Sequence, residues 1–409
     1  MRIGLFTDTY PPYINGVSTS VQMLKNSLEK KGHTVYVVTI NTNSMTKYDY
    51  DEENHVIRIP GVPTGIYDYR VSKIYPIKVV NMIKSWKLDV IHCHSEFAVG
   101  IFSKIIARQF NIPLIHTYHT KYDDYTHYIT RGHFTKPSKK IVEYLTKFYC
   151  DRVISELIVP TNKIYKMFKE DYKYEKNIHI IPTGIEVDRF FIENIDVKVL
   201  NELRKNIGLS KKDNVLLYVG RLAAEKNVEF ILNNMLKIRK KVKNIKLLIV
   251  WDGPDKEKYE NMSAELKIDD ITTFTGKVPW EEIQYYYHLS NIFVTASTSE
   301  TQGLTIIEAM AAGVVPLCIT DEAFKSTVID GVNGIFFNND KEYVDTVIGL
   351  FKNNKRREEL ANQARIQSEH LSSSTYAENV LVVYERAIAT KNKYKYGVLS
   401  KIVSKIKEK

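Results

Sequence analysis

The sequence predicts an α/β protein built from two Rossmann-like, doubly wound domains, and three observations carry that prediction. A strand, loop, helix, strand order opens the chain, and a second alternation of the same kind begins at residue 215. Between the two, from Gly184 to Asp213, the composition turns polar and charged. At 409 residues with 44% hydrophobic side chains, the chain is too long for one ordinary core and apolar enough to fill two.

Residues 1–6 are a short apolar run that meets a Pro- and Gly-containing loop over 7–16, and a helical pattern follows over 18–31. Residues 33–40, rich in Val, Thr and Tyr, read as the next strand. Residues 89–92, 113–117 and 152–160 continue the first sheet, with a further apolar run at 178–182. In the second half, strands are expected at 215–219, 246–251, 271–275, 292–295 and 314–319, with helices between them. Residues 376–389 form a long amphipathic helix. The expected organisation is a first domain over 1–183, a linker over about 183–213, a second domain over 214–375, a final helix over 376–390 and a basic tail over 391–409. Neither low-complexity sequence nor a solenoid repeat interrupts it.

Ligands of doubly wound sheets gather at the carboxyl ends of the strands, so the residues there are the functional candidates. Asn15-Gly16-Val17 follows the first strand and His119 follows residues 114–118. In the second half, Gly220-Arg221 ends a strand, Lys226 opens the next helix, and Asp252-Gly253-Pro254 follows another strand. Glu300 and Glu308 flank Gly303 and Leu304 where a strand gives way to a helix. That junction offers a ligand free backbone amides and the positive end of a helix dipole. Two carboxylates at such range do not both face a phosphate, because like charges repel, so the hydroxyls of a sugar or ribose are their better partners. The site reads as one for a sugar nucleotide.

In this order and spacing, over residues 1 to about 390 and with the tract 309–313, these marks resemble the family-4 retaining glycosyltransferases of GT-B fold. The resemblance implies two Rossmann-like domains facing a cleft, with the final helix returning to the first. It implies that Arg221 and Lys226 stabilise charge on the departing phosphate, and that Glu300 touches hydroxyls of the transferred sugar. The amides of Gly303 and Leu304 match those near the sugar's phosphate, and Glu308 matches the ribose-binding position. His119 lies against the transferred sugar, able to hydrogen-bond it or assist proton movement, while the departing phosphate oxygen is the expected base for the acceptor. Gly16 lets its loop approach the diphosphate. No catalytic metal and no cofactor beyond the sugar-nucleotide donor are expected. Two positions depart from the pattern. Asn15-Gly16 stands where two adjacent glycines are common, and Trp251 stands where Gly usually precedes Asp-Gly-Pro, its ring either narrowing the pocket floor or packing outward.

Plainer readings exist for the same residues. An Arg and a Lys near a helix start are solvated in most proteins, Ser299-Glu300 can cap a helix, and Glu308 can lie on an exposed helix face. His92, His94, His116 and His119 resemble a metal set only superficially, since no carboxylate or Cys pairing completes a known spacing.

Cys93, Cys150 and Cys318 are odd in number and far apart, and no signal-peptide pattern opens the chain, so a reducing cytoplasm is the expected location. No apolar run is long enough to span a bilayer. The net charge of +10 is uneven. Residues 1–190 carry 26 Lys and Arg against 19 Asp and Glu, residues 191–390 carry 25 against 28, and residues 391–409 carry seven against one. A basic half and a basic tail suggest a surface facing an anionic partner, nucleic acid or acidic lipid, but no nucleic-acid-binding motif appears.

Three segments combine lysines with apolar residues at helical spacing: 78–87 with Val79, Met82, Ile83 and Trp86; 139–148 with Ile141, Tyr144, Leu145 and Phe148; and 398–406 with Leu399, Ile402 and Val403. For the first two an ordinary core helix is the even alternative. The third, lying in the tail, suits an anionic bilayer surface. This basic, aromatic first domain, with Thr120-Lys121-Tyr122 and Tyr125-Thr126-His127-Tyr128, most resembles bacterial diacylglycerol glucosyltransferases. That likeness, which extends through residues 330–337, implies transfer of glucose from UDP-glucose to diacylglycerol with the α configuration kept, at the cytoplasmic face of the cell membrane. A soluble GT-B enzyme acting on a sugar or small metabolite is the alternative.

Overall fold

The computed structural model describes residues 1–407 except 14, 65–69 and 120–152, and for residues 392–407 it describes the backbone alone. The chain forms two compact units, Met1–Gly184 with Ser373–Lys409, and Ile185–Ser372. The segment expected as a linker, from residue 185 onward, belongs to the second unit and includes the helix Val197–Asn206, whose N-cap Asp196 accepts the Lys198 amide at 2.8 Å.

In the first unit, strands β1 (Arg2–Phe6), β2 (Thr34–Asn41), β3 (Asp49–Asp51), β4 (Val56–Pro63), β5 (Arg70–Ser72), β6 (Val90–Cys93), β7 (Leu114–Thr117), β8 (Glu156–Val159) and β9 (Ile178–Ile180) form one sheet. Its order is β3-β4-β2-β1-β6-β7-β8-β9, with β5 paired to β4. All pairings are parallel except β3 and β5 against β4. Alternation along the strands divides the core. Ile3, Leu5, Val35 and Val37 face the helix Gly16–Lys30 and the helix Ser373–Lys407, while Phe6, Tyr36, Val38 and Ile91 lie in the cluster that holds Val79, Phe102 and Ile106. The last helix contributes Tyr376, Val380, Val383 and Tyr384 to that packing, and its backbone runs unbroken from there through most of the basic tail.

The helix Ile77–Trp86 settles one of the three lysine-rich segments. Val79, Ile83 and Trp86 are buried, Met82 packs beside them, and the Trp86 ring stacks on Tyr36 at 4.6 Å. Its apolar stripe is core. Segment 139–148, Cys150 and the tyrosine-rich stretch 120–128 lie outside the described residues, as do the tail side chains from residue 392.

In the second unit, β10 (Asn214–Val219), β11 (Ile245–Val250), β12 (Thr272–Phe274), β13 (Ile292–Thr295), β14 (Val315–Ile319) and β15 (Ile335–Phe337) pair in parallel in the order β12-β11-β10-β13-β14-β15. Counted from β10 this is the 3-2-1-4-5-6 order of a dinucleotide-binding sheet, with its topological switch point between β10 and β13. The first sheet reverses in the same way between β1 and β6. Each switch point leaves a crevice beyond the strand ends, and the candidate residues fall at both. Among the described residues no helix is long and apolar enough to cross a membrane.

Candidate functional site

At the second switch point, the chain leaving β10 turns at Gly220 and presents Arg221, while a single 3-10 turn at Ala224–Lys226 presents Lys226 before the helix Val228–Arg239. Gly253 lies so close to the Leu222 backbone that a Cβ there would sit 2.2 Å from the Leu222 carbonyl oxygen. The Leu222 amide donates to Asp252 O at 3.0 Å and its carbonyl accepts from the Asp255 amide at 3.0 Å. The Asp-Gly-Pro turn therefore clamps the loop that carries Arg221, a positioning role that only glycine permits.

From β13 the chain runs through Glu300 to Gly303, whose φ of +85° starts the helix Leu304–Ala311. A side chain at Gly303 would be strained by that angle, and its Cβ would meet the Phe324 ring at 2.9 Å. Lys226 Nζ donates to Glu300 Oε1, and Arg221 donates to Glu225. Both cations are thus paired with carboxylates. Burial pushes the Glu300 carboxyl up, but the charge and hydrogen bond of Lys226, with a further bond from Ser297, hold it below the usual glutamate range.

Glu308 is in a different setting. On the helix beyond Gly303 it accepts the Tyr287 hydroxyl at 2.6 Å. Burial raises its carboxyl to about 7, against the opposing pull of Tyr287 and of the Arg189 charge. Arg189 is held by Gln284 Oε1 at 2.7 and 3.0 Å, and its guanidinium lies 3.6 Å over the Trp280 ring. Sequence reasoning missed Arg189, Gln284 and Tyr287. They come from a 3-10 turn and a six-residue helix, and no spacing joins residues about a hundred positions apart.

Trp251 has a φ of +107°, a conformation that glycine enters freely and that is an outlier for a bulky side chain. Its amide donates to Thr275 Oγ1 at 3.4 Å, and its ring packs against the cluster of Val219, Val250 and Val278. The departure from glycine at this position leaves the backbone in a glycine conformation and is offset by ring burial.

At the first switch point, the helix Gly16–Lys30 begins with Asn15 as N-cap, its side chain accepting the Ser18 amide at 2.7 Å. This cap contributes about 1 kcal/mol. A Cβ built on Gly16 meets nothing within 4 Å, so the protein's own packing does not demand glycine there. The strand ends bring the four histidines together. His116 faces two acceptors, Cys93 O at 3.0 Å and Glu96 Oε1 at 3.0 Å, which requires both ring nitrogens to carry protons. Burial lowers its affinity for the second proton, but these partners raise it to about 9. His92 is held by the Tyr384 hydroxyl at 2.7 Å and Thr117 Oγ1 at 2.6 Å. His94 Nδ1 lies 2.9 Å from His119 Nε2. Burial, then the charge of His116, pulls His119 down to about 3.

Among the described residues no group of three or more His, Cys, Asp or Glu is arranged to hold a metal ion. Cys93 and Cys318 are buried free thiols.

Of the predicted residues, Arg221, Lys226, Glu300, Gly303, Leu304 and Glu308 meet at the carboxyl ends of β10 and β13. His119 and Gly16 occupy the equivalent place in the first unit.

Two family models match the chain. "Glycosyltransferase Family 4" covers residues 14–189 and "Glycosyl transferases group 1" covers residues 200–367. An alpha-monoglucosyldiacylglycerol synthase of Streptococcus pneumoniae is 35% identical over 349 residues, 85% of this chain and 78% of that protein. The Acholeplasma laidlawii protein of the same name is 33% identical over 400 residues, 96% of this chain and 99% of its own. Among solved structures, a sucrose-phosphate synthase from Thermosynechococcus elongatus superimposes with a TM-score of 0.75 at 19% identity, covering 95% of this chain and 99% of the other. HepE of Anabaena in complex with UDP-glucose gives 0.72 at 16% identity, covering 94% and 99%. At those identities the structures speak for the fold alone.

Proposed function

Because the chain belongs to the family-4 glycosyltransferases of GT-B fold, we propose that it transfers glucose from UDP-glucose to diacylglycerol, with retention, giving α-monoglucosyldiacylglycerol. The observation that carries this reading is the pairing of Lys226 with Glu300 beside a helix N-terminus, on a chain at least 33% identical to two synthases of that name.

A diphosphate entering beside Gly303 competes with the carboxylates for Arg221 and Lys226. Lys226 exchanges Glu300 for phosphate oxygens, and Glu300 turns to the hydroxyls of the sugar. The cations then lie where negative charge grows as the sugar–phosphate bond breaks, and they lower the barrier by stabilising it. Glu308, as carboxylate, accepts from the ribose hydroxyls. His119 hydrogen-bonds the sugar, and the departing phosphate oxygen takes the proton of the acceptor hydroxyl.

Attachment to an anionic membrane surface is part of the proposal. The buried stripe of residues 78–87 is not its basis. Ile74, Tyr75 and Ile77 are exposed immediately before that stripe, Ile77 to 71%, between the exposed Lys73 and Lys78. With the seven lysines of the tail they suit the interface of an anionic bilayer.

The test is a panel of radiolabelled UDP-glucose and UDP-galactose with diacylglycerol in mixed micelles and with soluble sugar acceptors. Label entering the lipid from UDP-glucose is expected. Transfer only to soluble acceptors would replace this reading with that of a soluble GT-B enzyme.

A further inference from the structure

His94 lies behind His119, buried to 2% exposure and tilted against His92 with ring centroids 4.0 Å apart. Its Nδ1 is 2.9 Å from His119 Nε2, and its Nε2 is buried with no hydrogen-bond partner among the described residues. His92 cannot supply one, since both its nitrogens are engaged by Tyr384 and Thr117. Burial and the neighbouring histidines hold His94 well below the usual imidazole range, so it is neutral, as is His119. Each ring therefore carries one proton, and the contact between them admits two arrangements. With the proton on His94 Nε2, a buried N–H donor is left unsatisfied, which is rare and costly. With the proton on His94 Nδ1, that N–H donates to His119 Nε2 and only an acceptor lone pair is left unmatched, the cheaper of the two.

We infer that His94 is a positioning residue that donates its Nδ1–H to His119 Nε2 and so fixes His119 as an Nδ1–H hydrogen-bond donor. This rests on the proposed placing of His119 against the transferred sugar and narrows its role. A ring locked in that tautomer donates to a sugar oxygen and does not act as a base through Nδ1. Glu96 and His116 form an ion pair nearby, and the His116 charge helps to keep both rings neutral.

Two measurements test it. In full-length protein labelled with 15N-histidine, the His119 signals, assigned by their loss in His119→Asn, should show a protonated Nδ1 and a bare Nε2 at pH 8. A protonated Nε2 overturns the inference, and this holds whichever donor and acceptor the enzyme uses. The second measurement compares His94→Asn with His94→Asp, near-isosteres of opposite hydrogen-bonding sense. The Asn amide can donate from the place of Nδ1, whereas the Asp carboxylate can only accept there and forces the other tautomer on His119. Expected are His94→Asn within about threefold of wild-type kcat, and His94→Asp lower by tenfold or more, with its His119 proton moved to Nε2 and its UDP affinity unchanged. Equal losses in the two variants, with UDP affinity falling alongside, would make His94 merely a packing residue. Should His94→Asp fail to fold, the wild-type spectrum decides.

Discussion

The two switch points of this molecule solve the same positional problem with opposite electrostatics. In the second unit, polar groups are charged and compensated: Lys226 faces Glu300 and Arg221 faces Glu225. Among the described residues of the first unit's histidine cluster, the ion pair of His116 with Glu96 is set apart, and the residues behind His119 are neutral rings and hydroxyls whose order lies in hydrogen-bond direction. The difference teaches what each region can offer a ligand. Paired cations can be turned from a carboxylate to a diphosphate, while a neutral network can orient a hydroxyl but cannot balance an anion.

The largest break in this comparison is Lys226→Ala. It strands Glu300 and removes the cation proposed to face the departing phosphate, so kcat/KM for transfer should fall by about a hundredfold or more, roughly 3 kcal/mol. The circular dichroism spectrum should match wild type, because Lys226 is on a surface turn. Near-normal turnover would remove the charge-exchange account.

Glu308 sharpens the comparison, since burial pushes both it and Glu300 up but only Glu308 is left raised, at about 7, where Lys226 holds Glu300 down. The proposed acceptance of a ribose hydroxyl requires the carboxylate, so KM for the donor should fall as pH rises through 7 in wild type and stay flat in Glu308→Gln. Stability runs the other way. The folded pKa is raised above the unfolded value of about 4.3, so the contribution of this group is full below that and declines as pH rises toward 7. Glu308→Gln should therefore gain in thermal midpoint over wild type at pH 8 relative to pH 4, and a constant difference would contradict the raised value.

Trp251 is a smaller effect on the same unit. Trp251→Gly and Trp251→Ala lose the same ring, but only glycine relieves a φ of +107°. The Gly variant should be the more stable by about 1–2 kcal/mol in urea unfolding, reversing the usual order of Gly and Ala. Equal or inverted stability would mean that the backbone relaxes once the ring is gone.

The smallest expected changes concern the first unit's surface. Ile77→Ser, and separately deletion of residues 391–409, should each weaken sedimentation with phosphatidylglycerol vesicles severalfold, with little effect on transfer to micellar diacylglycerol. The deletion should matter most at low salt, because attraction of lysines decays within a Debye length. Unchanged binding across a salt series would remove these segments from the membrane reading.

Most of the architecture was legible because alternation is a local signal. Ten strand segments between residues 2 and 319 fall within a few residues of their expected places. β4 was missed because Pro60, Gly61 and Pro63 break its pattern, and β3 and β5, three residues each, are too short to show one. The apolar stripe of residues 78–87 was ambiguous because helical periodicity says that a face is covered and not by what. At the site, residues at strand ends could be read from their motifs. Their partners could not, since the Tyr287 to Glu308 and His94 to His119 contacts join separate elements through side-chain direction. The φ at Trp251 was equally hidden, although the glycine expected there was its trace.

The contrast between the two switch points is tested most directly by calorimetric titration of UDP alone into wild type, Lys226→Ala and His119→Ala. If the second unit holds the diphosphate by ion exchange and the first only orients the sugar, Lys226→Ala should bind UDP at least tenfold more weakly, while His119→Ala binds it as wild type does and is impaired in kcat. UDP binding that is unchanged in Lys226→Ala, or weakened as much in His119→Ala, would contradict that division of labour.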